Sequence, residues 1–161
     1  MPGSIYHPLG LYLLELIEHL PSTKTNCNSQ EVAQAISNAR LESGETLISL
    51  DVVSLYTNIP LAEAIEIVAT EVYNSNKRPP FDKAVFIQLM LMATKNILVL
   101  TPTGTFRQVD GVAMGSPLGP ALANAFVANY ENYFTQQRCN YYTRYIDDCL
   151  LICKKDDVNT I

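Results

Sequence analysis

Apolar residues recur every three or four positions along several stretches of the chain, which is the spacing of amphipathic helices. The first stretch runs from Leu9 to Leu20 and stops at Pro21, and the second lies between Val32 and Ala39, behind Ser29. The same spacing predicts three further helices: from Leu61 to Val72, from about Asp82 to Thr94, and a long one that begins near Pro117. The helices from Leu9 to Leu20 and from Val32 to Ala39 precede the first predicted strand.

Strands are predicted where short runs of β-branched and aromatic residues stand between turn signals. The run from Thr46 to Leu50 follows Gly44 and predicts a buried strand that ends at Asp51. Two hairpins follow: Ile97 to Leu100 with Thr105 to Val109, and Tyr141 to Ile146 with Cys149 to Cys153, the second turning at Asp147 and Asp148. Because helices and strands mix without strict βαβα alternation, we expect an α+β fold, with helices packed on one face of an antiparallel sheet.

Composition narrows the possible classes. The chain has 161 residues, 48% hydrophobic and 17% charged, which is typical of one folded domain and excludes a disordered or low-complexity chain. It carries 11 Lys and Arg against 16 Asp and Glu, so the formal net charge is -5. This balance argues against a protein that binds nucleic acid on its own, because such proteins carry basic surfaces.

The sequence predicts neither export nor a membrane span. The N-terminal MPGSIYHPLG lacks the basic and apolar regions of a secretory signal, and the most apolar stretch, Ala84 to Leu100, is interrupted by polar residues. Four cysteines, Cys27, Cys139, Cys149 and Cys153, form no CxxC motif, which favours buried reduced thiols over a zinc site or disulfides. We therefore expect an intracellular protein, with the nucleus as one possible compartment, that is not secreted and has no membrane partner.

Three aspartates are the strongest candidates for chemistry. Asp51 ends a predicted strand and Asp147 and Asp148 occupy a predicted turn, so the three meet if the two strands are neighbours in one sheet. Carboxylates held together repel unless a hard cation neutralises them, and two magnesium ions about 3.5 to 4 Å apart are used in this way for phosphoryl transfer. The alternative for Asp147 and Asp148 taken alone is a solvated turn.

A glycine-rich stretch runs from Gly111 to Pro120 ahead of the long predicted helix. Its glycines permit close backbone approach, and the helix behind it presents free N–H groups, so the loop suits a phosphate or a template backbone. An ordinary loop that starts a helix, with Pro117 in the first turn, explains the same residues equally well.

Three blocks of the sequence resemble the palm motifs of reverse transcriptases in the family's order. They are Leu50 to Pro60, Gln108 to Pro120 with Ala123 and Asn124, and Arg144 to Asp148. Their wording is closest to Penelope-like retroelements, whose polymerases are related to telomerase and to group II intron enzymes. The resemblance covers roughly residues 45 to 153 and implies a polymerase palm-like sheet. It also implies transfer of deoxynucleotides from their triphosphates to a DNA primer on an RNA template, with Mg²⁺ as the cofactor and Mn²⁺ as an alternative.

The resemblance further implies a role for individual residues. Asp51, Asp147 and Asp148 match the catalytic, metal-binding aspartates, and Val52 would offer its main-chain carbonyl to the second ion. Tyr56 matches the aromatic residue that crowds a ribose 2′-hydroxyl and so selects deoxynucleotides; without the motif it would be taken for an ordinary buried tyrosine. The residues implied to contact template or incoming nucleotide are Gln108, Met114, Gly115, Ser116 and Pro117, with Met114 where related enzymes often have Gln.

On this resemblance, residues 1–161 form one partial reverse transcriptase domain. Residues 1–44 are a helical segment that precedes the palm, residues 45–155 are the palm core, and the finger motifs, thumb and endonuclease are absent. The cations near the last hairpin, Arg138, Arg144, Lys154 and Lys155, form only a weak basic patch. We therefore expect an incomplete polymerase that is inactive alone. The alternative is a non-catalytic remnant or interaction module of a retroelement; an RNA-binding domain is disfavoured because the aromatic and basic signature of such sheets is missing.

Overall fold

The computed structural model describes residues 5–20, 29–95 and 97–160 of the chain. The helices are α1 (His7–Ile17), α2 (Ser29–Asn38), α3 (Leu55–Asn58), α4 (Leu61–Asn74), α5 (Lys83–Thr94) and α6 (Gly119–Arg138). The strands are β1 (Glu45–Asp51), β2 (Leu98–Thr101), β3 (Gly104–Arg107), β4 (Cys139–Tyr145) and β5 (Asp148–Lys154), and a 3-10 helix covers Lys155–Thr160. Helices and antiparallel sheets mix as the α+β prediction requires; α3 and the 3-10 helix are additions to it.

The chain folds as two compact units. One is built from the described residues within 1–21 and 54–126, and the other from those within 22–53 and 127–161. Cys27 and Asn96 lie outside the described residues.

The core of the first unit is formed by α1, α4 and α5 together with the segment that leads into α6. Helix α4 buries the apolar residues of one stripe, Leu61, Ala64, Ile65, Val68, Ala69 and Val72. This stripe follows the 3.6-residue helical period, which explains why the sequence pattern located the helix correctly. Phe86 of α5 is fully buried and contacts two aromatic rings, Tyr73 edge-on at 6.0 Å and Phe81 stacked at 6.5 Å between centroids.

Strands β2 and β3 of the first unit pair as an isolated hairpin. Every residue of both strands is exposed, including Leu100 at 83% and Phe106 at 56%. The predicted hairpin is therefore present but shorter than expected, because β3 ends at Arg107 and leaves Val109 outside the ladder.

The second unit contains a three-stranded antiparallel sheet of order β1-β5-β4. The central strand β5 supplies the buried residues Cys149, Leu151, Ile152 and Cys153. The prediction that β1 is buried is wrong, since only Glu45 is buried and Leu47 and Leu50 expose 43% and 41% of their surface. The reason is topological: β1 lies at an edge of this sheet, whereas the pattern of its residues suits a central strand equally well.

The cysteines of the described residues are free thiols: Cys139 is half-buried, and Cys149 and Cys153 are buried. Burial is the main cause that raises the pKa of both Cys149 and Cys153 above the usual range of a thiol. Buried thiols of this kind stay protonated and are poor nucleophiles.

In the described part of the chain no helix is long and apolar enough to span a bilayer.

Candidate functional site

Two strands of the three-stranded sheet bring the aspartates to one end of it. Asp51 is the last residue of β1 and pairs directly with Asp148, the first residue of β5. The Val52 N–H then donates to the Asp147 carbonyl at 2.9 Å, so the ladder extends one step beyond the strands into the turn. The fold thus places Asp51, Val52, Asp147 and Asp148 together, although they are far apart in the sequence.

The environment of these aspartates is open on one side. Asp51 and Asp148 are exposed and Asp147 is half-buried. The ion pairs within the described residues, Lys83–Glu66 and Arg144–Glu131, include none of the three. Like charges placed directly opposite each other on neighbouring strands destabilise a sheet, so this arrangement favours a cation at the same end.

The carboxylates have the right chemistry for a hard divalent cation, because Mg²⁺ prefers oxygen ligands. As they stand, however, no three His, Cys, Asp or Glu side chains among the described residues are grouped closely enough to hold a metal ion. The sheet therefore aligns the three aspartate positions, and the carboxylates must rotate toward one another to share a cation.

The turn itself differs from the prediction by one residue. Tyr145 pairs with Asp148, so the two residues of the turn are Ile146 and Asp147, and Asp148 belongs to β5. Ile146 has φ +57°, a left-handed conformation that a β-branched residue rarely adopts. Strained backbone of this kind costs about 1–3 kcal/mol and persists only where the surrounding structure holds it.

A buried ion pair lies directly behind the turn. Arg144 and Glu131 are both fully buried, with Arg144 Nε 2.5 Å from Glu131 Oε1. The Tyr142 hydroxyl donates to the same carboxylate oxygen at 2.8 Å, and Arg144 Nη1 donates to the Ile146 carbonyl at 2.7 Å. Burial is also the main cause that raises the pKa of Tyr142 far above its usual range, so the hydroxyl remains a neutral donor.

This cluster overturns one prediction and adds residues that sequence reasoning missed. Arg144 is part of the core and not of a surface basic patch, because a partner carboxylate within the fold compensates its charge. Lys154 and Lys155 are exposed as expected, and the side chain of Arg138 lies outside the described residues. The sequence gives no signal that Glu131 is buried, because a charged residue within a helix normally faces solvent.

In the other unit, the glycine-rich segment is built around the backbone of Tyr56. The Val112 N–H donates to the Tyr56 carbonyl at 2.7 Å. Gly111 has φ +77°, and a Cβ added to it would lie 2.6 Å from the Thr57 carbonyl oxygen, so no other residue fits without a backbone shift. A Cβ added to Gly119, at the start of α6, would lie 3.4 Å from Cε1 of the Tyr56 ring.

Asp110 is a further residue that sequence reasoning missed. Its Oδ1 accepts hydrogen bonds from the Leu61 N–H at 3.0 Å and from the Gly111 N–H at 2.9 Å. Both bonds lower the pKa of the Asp110 carboxyl, and the bond from Leu61 has the larger effect. Asp110 thereby caps α4 from 49 positions away, a role that a local sequence pattern does not reveal.

Five of the predicted nucleotide-contacting residues lie around one pocket of this unit. A shallow cavity of about 440 Å³ is lined by Tyr56, Met114, Gly115, Ser116 and Pro117, together with residues of α1. Gln108 does not line it; its side-chain amide donates to the Asp110 carbonyl at 2.9 Å. The structure therefore groups Tyr56 with the glycine-rich loop and leaves Gln108 apart from them.

Comparison with known proteins adds two findings. The profile of the family described as Reverse transcriptase (RNA-dependent DNA polymerase) matches residues 11–160. No curated protein is significantly similar to the sequence.

Solved structures with a similar fold include three structures of telomerases from two Candida species. The chain is 15% identical to apo telomerase from Candida tropicalis, with a TM-score of 0.67, and the alignment covers 96% of this chain and 32% of the telomerase. For the C. tropicalis telomerase truncated from its C-terminal domain the identity is 17% and the TM-score 0.65, and the alignment covers 94% of this chain and 35% of that one. For telomerase from Candida albicans in complex with a TWJ fragment of telomeric RNA the identity is 14% and the TM-score 0.60, and the alignment covers 96% of this chain and 31% of that one. The chain thus spans about a third of these telomerases.

Proposed function

Because the chain belongs to the reverse transcriptase (RNA-dependent DNA polymerase) family, we propose that it carries the palm of an RNA-directed DNA polymerase. Its substrates are deoxynucleoside triphosphates, a DNA primer and an RNA template. The observation that carries this proposal is the register that sets Asp51 opposite Asp148 beside the Asp147 turn. The likeness to telomerase structures supports the fold that the proposal requires.

Asp51, Asp147 and Asp148, with the Val52 carbonyl, are the residues that would hold Mg²⁺ or Mn²⁺. Bound there, the cation would neutralise the opposed carboxylates and stabilise negative charge that develops on the phosphates. The fit rests on the like-charged cross-strand pair and on the oxygen character of the donors.

The proposed reaction is an in-line displacement at the α-phosphorus. The primer 3′-hydroxyl gives its proton to solvent water, its oxygen bonds to the α-phosphorus, and the bond from the α-phosphorus to the bridging oxygen breaks so that pyrophosphate leaves. The protein's contribution is to hold the reacting groups in line and to concentrate carboxylates where the charge changes. The half-buried position of Asp147 and the exposed positions of Asp51 and Asp148 leave room for a bulky polyanion.

Tyr56 is proposed to select the sugar. Its ring lies against the backbone of Gly119 and lines the cavity together with Gly115 and Ser116, so it would crowd the 2′-hydroxyl of a nucleotide bound in that cavity. Replacing Tyr56 with Ala should raise the incorporation of ribonucleotides relative to deoxynucleotides, whereas Tyr56→Phe should not. An unchanged ratio in Tyr56→Ala would remove this role.

Primer extension tests the activity. The whole chain is incubated with a DNA primer on an RNA template, deoxynucleoside triphosphates and Mg²⁺ or Mn²⁺. Asp147→Asn should lower extension to the level of a reaction without metal. Asp156→Asn is the matched control, because it makes the same change of charge at an exposed residue of the 3-10 helix. Where the wild-type chain extends the primer above the level without metal, equal extension by Asp147→Asn would exclude the proposed site.

A non-catalytic remnant or interaction module is the second candidate. The net charge of -5 favours it, because an acidic chain repels the phosphate backbone of a primer–template duplex. Mn²⁺ binding without any extension would support this candidate, and metal-dependent extension would exclude it.

The Penelope-like subtype is proposed from the wording of the three motifs, Leu50 to Pro60, Gln108 to Pro120 and Arg144 to Asp148. A deoxynucleotide substrate agrees with a location inside the cell, and the nucleus is the compartment that we propose. Sequencing the DNA on either side of the reading frame tests the subtype, because Penelope-like elements commonly encode a GIY-YIG endonuclease beyond the polymerase.

A further inference from the structure

The turn that carries Asp147 is held at both of its carbonyl groups. The Ile146 carbonyl accepts a hydrogen bond from Arg144 Nη1 at 2.7 Å, and the Asp147 carbonyl accepts one from the Val52 N–H at 2.9 Å. The second bond comes from the backbone and survives most substitutions. The first depends on one side chain, and it restrains the residue that has the unfavourable φ of +57°.

Arg144 is itself immobilised by a buried carboxylate. Its Nε lies 2.5 Å from Glu131 Oε1, both side chains have almost no exposed surface, and the Tyr142 hydroxyl donates to the same oxygen. A planar guanidinium can donate to two acceptors in different directions at once, here Glu131 and the Ile146 carbonyl, which a lysine ammonium does less well.

Stability alone does not account for this pair. Taking two charges out of water is costly, and replacing a buried ion pair with apolar residues of similar size is often neutral or stabilising. The contact with the Ile146 carbonyl supplies a different reason for the pair, because it links the buried charges to the strained residue next to Asp147.

We propose that Arg144, anchored by Glu131, is a positioning residue that keeps Ile146 in its left-handed conformation and so holds the backbone of Asp147 at the end of the sheet where Asp51 and Asp148 pair. This inference rests on the proposed function, because it assigns Asp147 to the metal site. Without Arg144, Ile146 relaxes to a negative φ and the turn moves Asp147 away from Asp51 and Asp148. The expected consequence is weaker metal binding in a chain that is still folded.

The test uses the whole chain carrying Glu131→Met, Tyr142→Phe and Arg144→Met together. This triple variant removes the buried charges without leaving one unpaired. Tyr142→Phe alone is the matched control, since it loses the hydroxyl that contacts Glu131 but keeps the contact between Arg144 and Ile146. Circular dichroism reports the fold, the NMR coupling and Cα shift of Ile146 report its φ, and electron paramagnetic resonance with Mn²⁺ alone reports metal affinity.

We expect the triple variant to remain folded, to lose the left-handed signature of Ile146, and to bind Mn²⁺ about tenfold or more weakly, as is typical when a residue that orients metal ligands is removed. Tyr142→Phe should keep both the signature and the affinity. The proposal is overturned if the triple variant keeps the signature of Ile146, if Tyr142→Phe disturbs the turn equally, or if the triple variant unfolds, because the pair would then serve the fold.

The Ile146 measurement does not depend on activity. If the wild-type chain binds no Mn²⁺, the metal site of the proposed function is refuted, while the φ of Ile146 in the triple variant still decides whether Arg144 holds the turn.

Discussion

Replacing Gly111 with Ala should destabilise the chain far more than the same change at two other glycines. Gly111, Gly115 and Gly44 all have left-handed φ values, +77°, +85° and +88°. A Cβ at Gly115 or Gly44 would meet nothing within 4 Å. At Gly111 it would lie 2.6 Å from the Thr57 carbonyl oxygen and 2.8 Å from Thr57 Cα, which are backbone atoms and cannot swing away.

The two costs can be separated. A left-handed φ costs an L-residue about 1–2 kcal/mol, and all three variants bear that cost. Forcing backbone apart in a packed site adds about 1–3 kcal/mol at Gly111 alone. The gain from a less flexible unfolded chain is similar for each variant and cancels in the comparison. Gly111→Ala should therefore lose about 2–5 kcal/mol, a large part of the 5–15 kcal/mol typical of a domain.

Urea unfolding followed by circular dichroism measures the difference. With a slope of about 1–3 kcal/mol per molar urea, the midpoint of Gly111→Ala should fall about 1 M below that of Gly115→Ala. Gly44→Ala, in the other unit, should match Gly115→Ala. Equal midpoints for all three variants would mean that the backbone near Thr57 yields freely and that Gly111 is needed only for its φ.

Three further predictions concern stability. Asp110→Asn should lower the free energy of unfolding by about 0.5–1 kcal/mol at pH 7, allowing for the exposure of the carboxyl, and by little at pH 2. The reason is that a carboxyl with a lowered pKa stabilises the fold above its unfolded pKa of about 3.9, and this stabilisation is lost as the pH falls through the folded pKa. Urea unfolding at both pH values measures the two differences. Phe86→Ala should cost about 3–5 kcal/mol and Phe106→Ala less than about 0.5 kcal/mol, since only the first ring is buried, and equal losses in thermal unfolding would contradict the core assignment. Glu66→Gln, which removes the partly exposed pair with Lys83, should cost no more than about 1 kcal/mol, and the loss should disappear in 1 M salt.

The positions of the elements were predictable because each leaves a local pattern. The buried stripe on α4 repeats with the period of a helix, and β5 is a short continuous apolar run that follows a turn, whatever packs against them. The turn was placed one residue too late, because pairs of aspartates are common in turns, whereas the pairing of Tyr145 with Asp148 is set by the whole sheet. An isoleucine with positive φ is not expected from any local preference.

The supporting residues of the candidate site were not predictable in the same way. Charged residues are normally on the surface, so Glu131 and Arg144 read as solvent-facing until packing brings their charged atoms to 2.5 Å. Asp110 caps a helix that begins 49 positions earlier in the chain. Partners this far apart are chosen by the fold, and one sequence without its fold does not identify them.

By itself, the sequence determined where the five longer helices and the five strands form, which three aspartates are candidates for chemistry, and which family's motifs they belong to, because these depend on residue type and near-neighbour spacing. Only the tertiary structure decided that Asp51 stands opposite Asp148, that Asp147 sits in a strained turn held by Arg144 and Val52, and that Tyr56 shares a pocket with the glycine-rich loop. These arrangements depend on hydrogen bonds and packing between residues distant in the chain, whose energies exist only once the chain has folded.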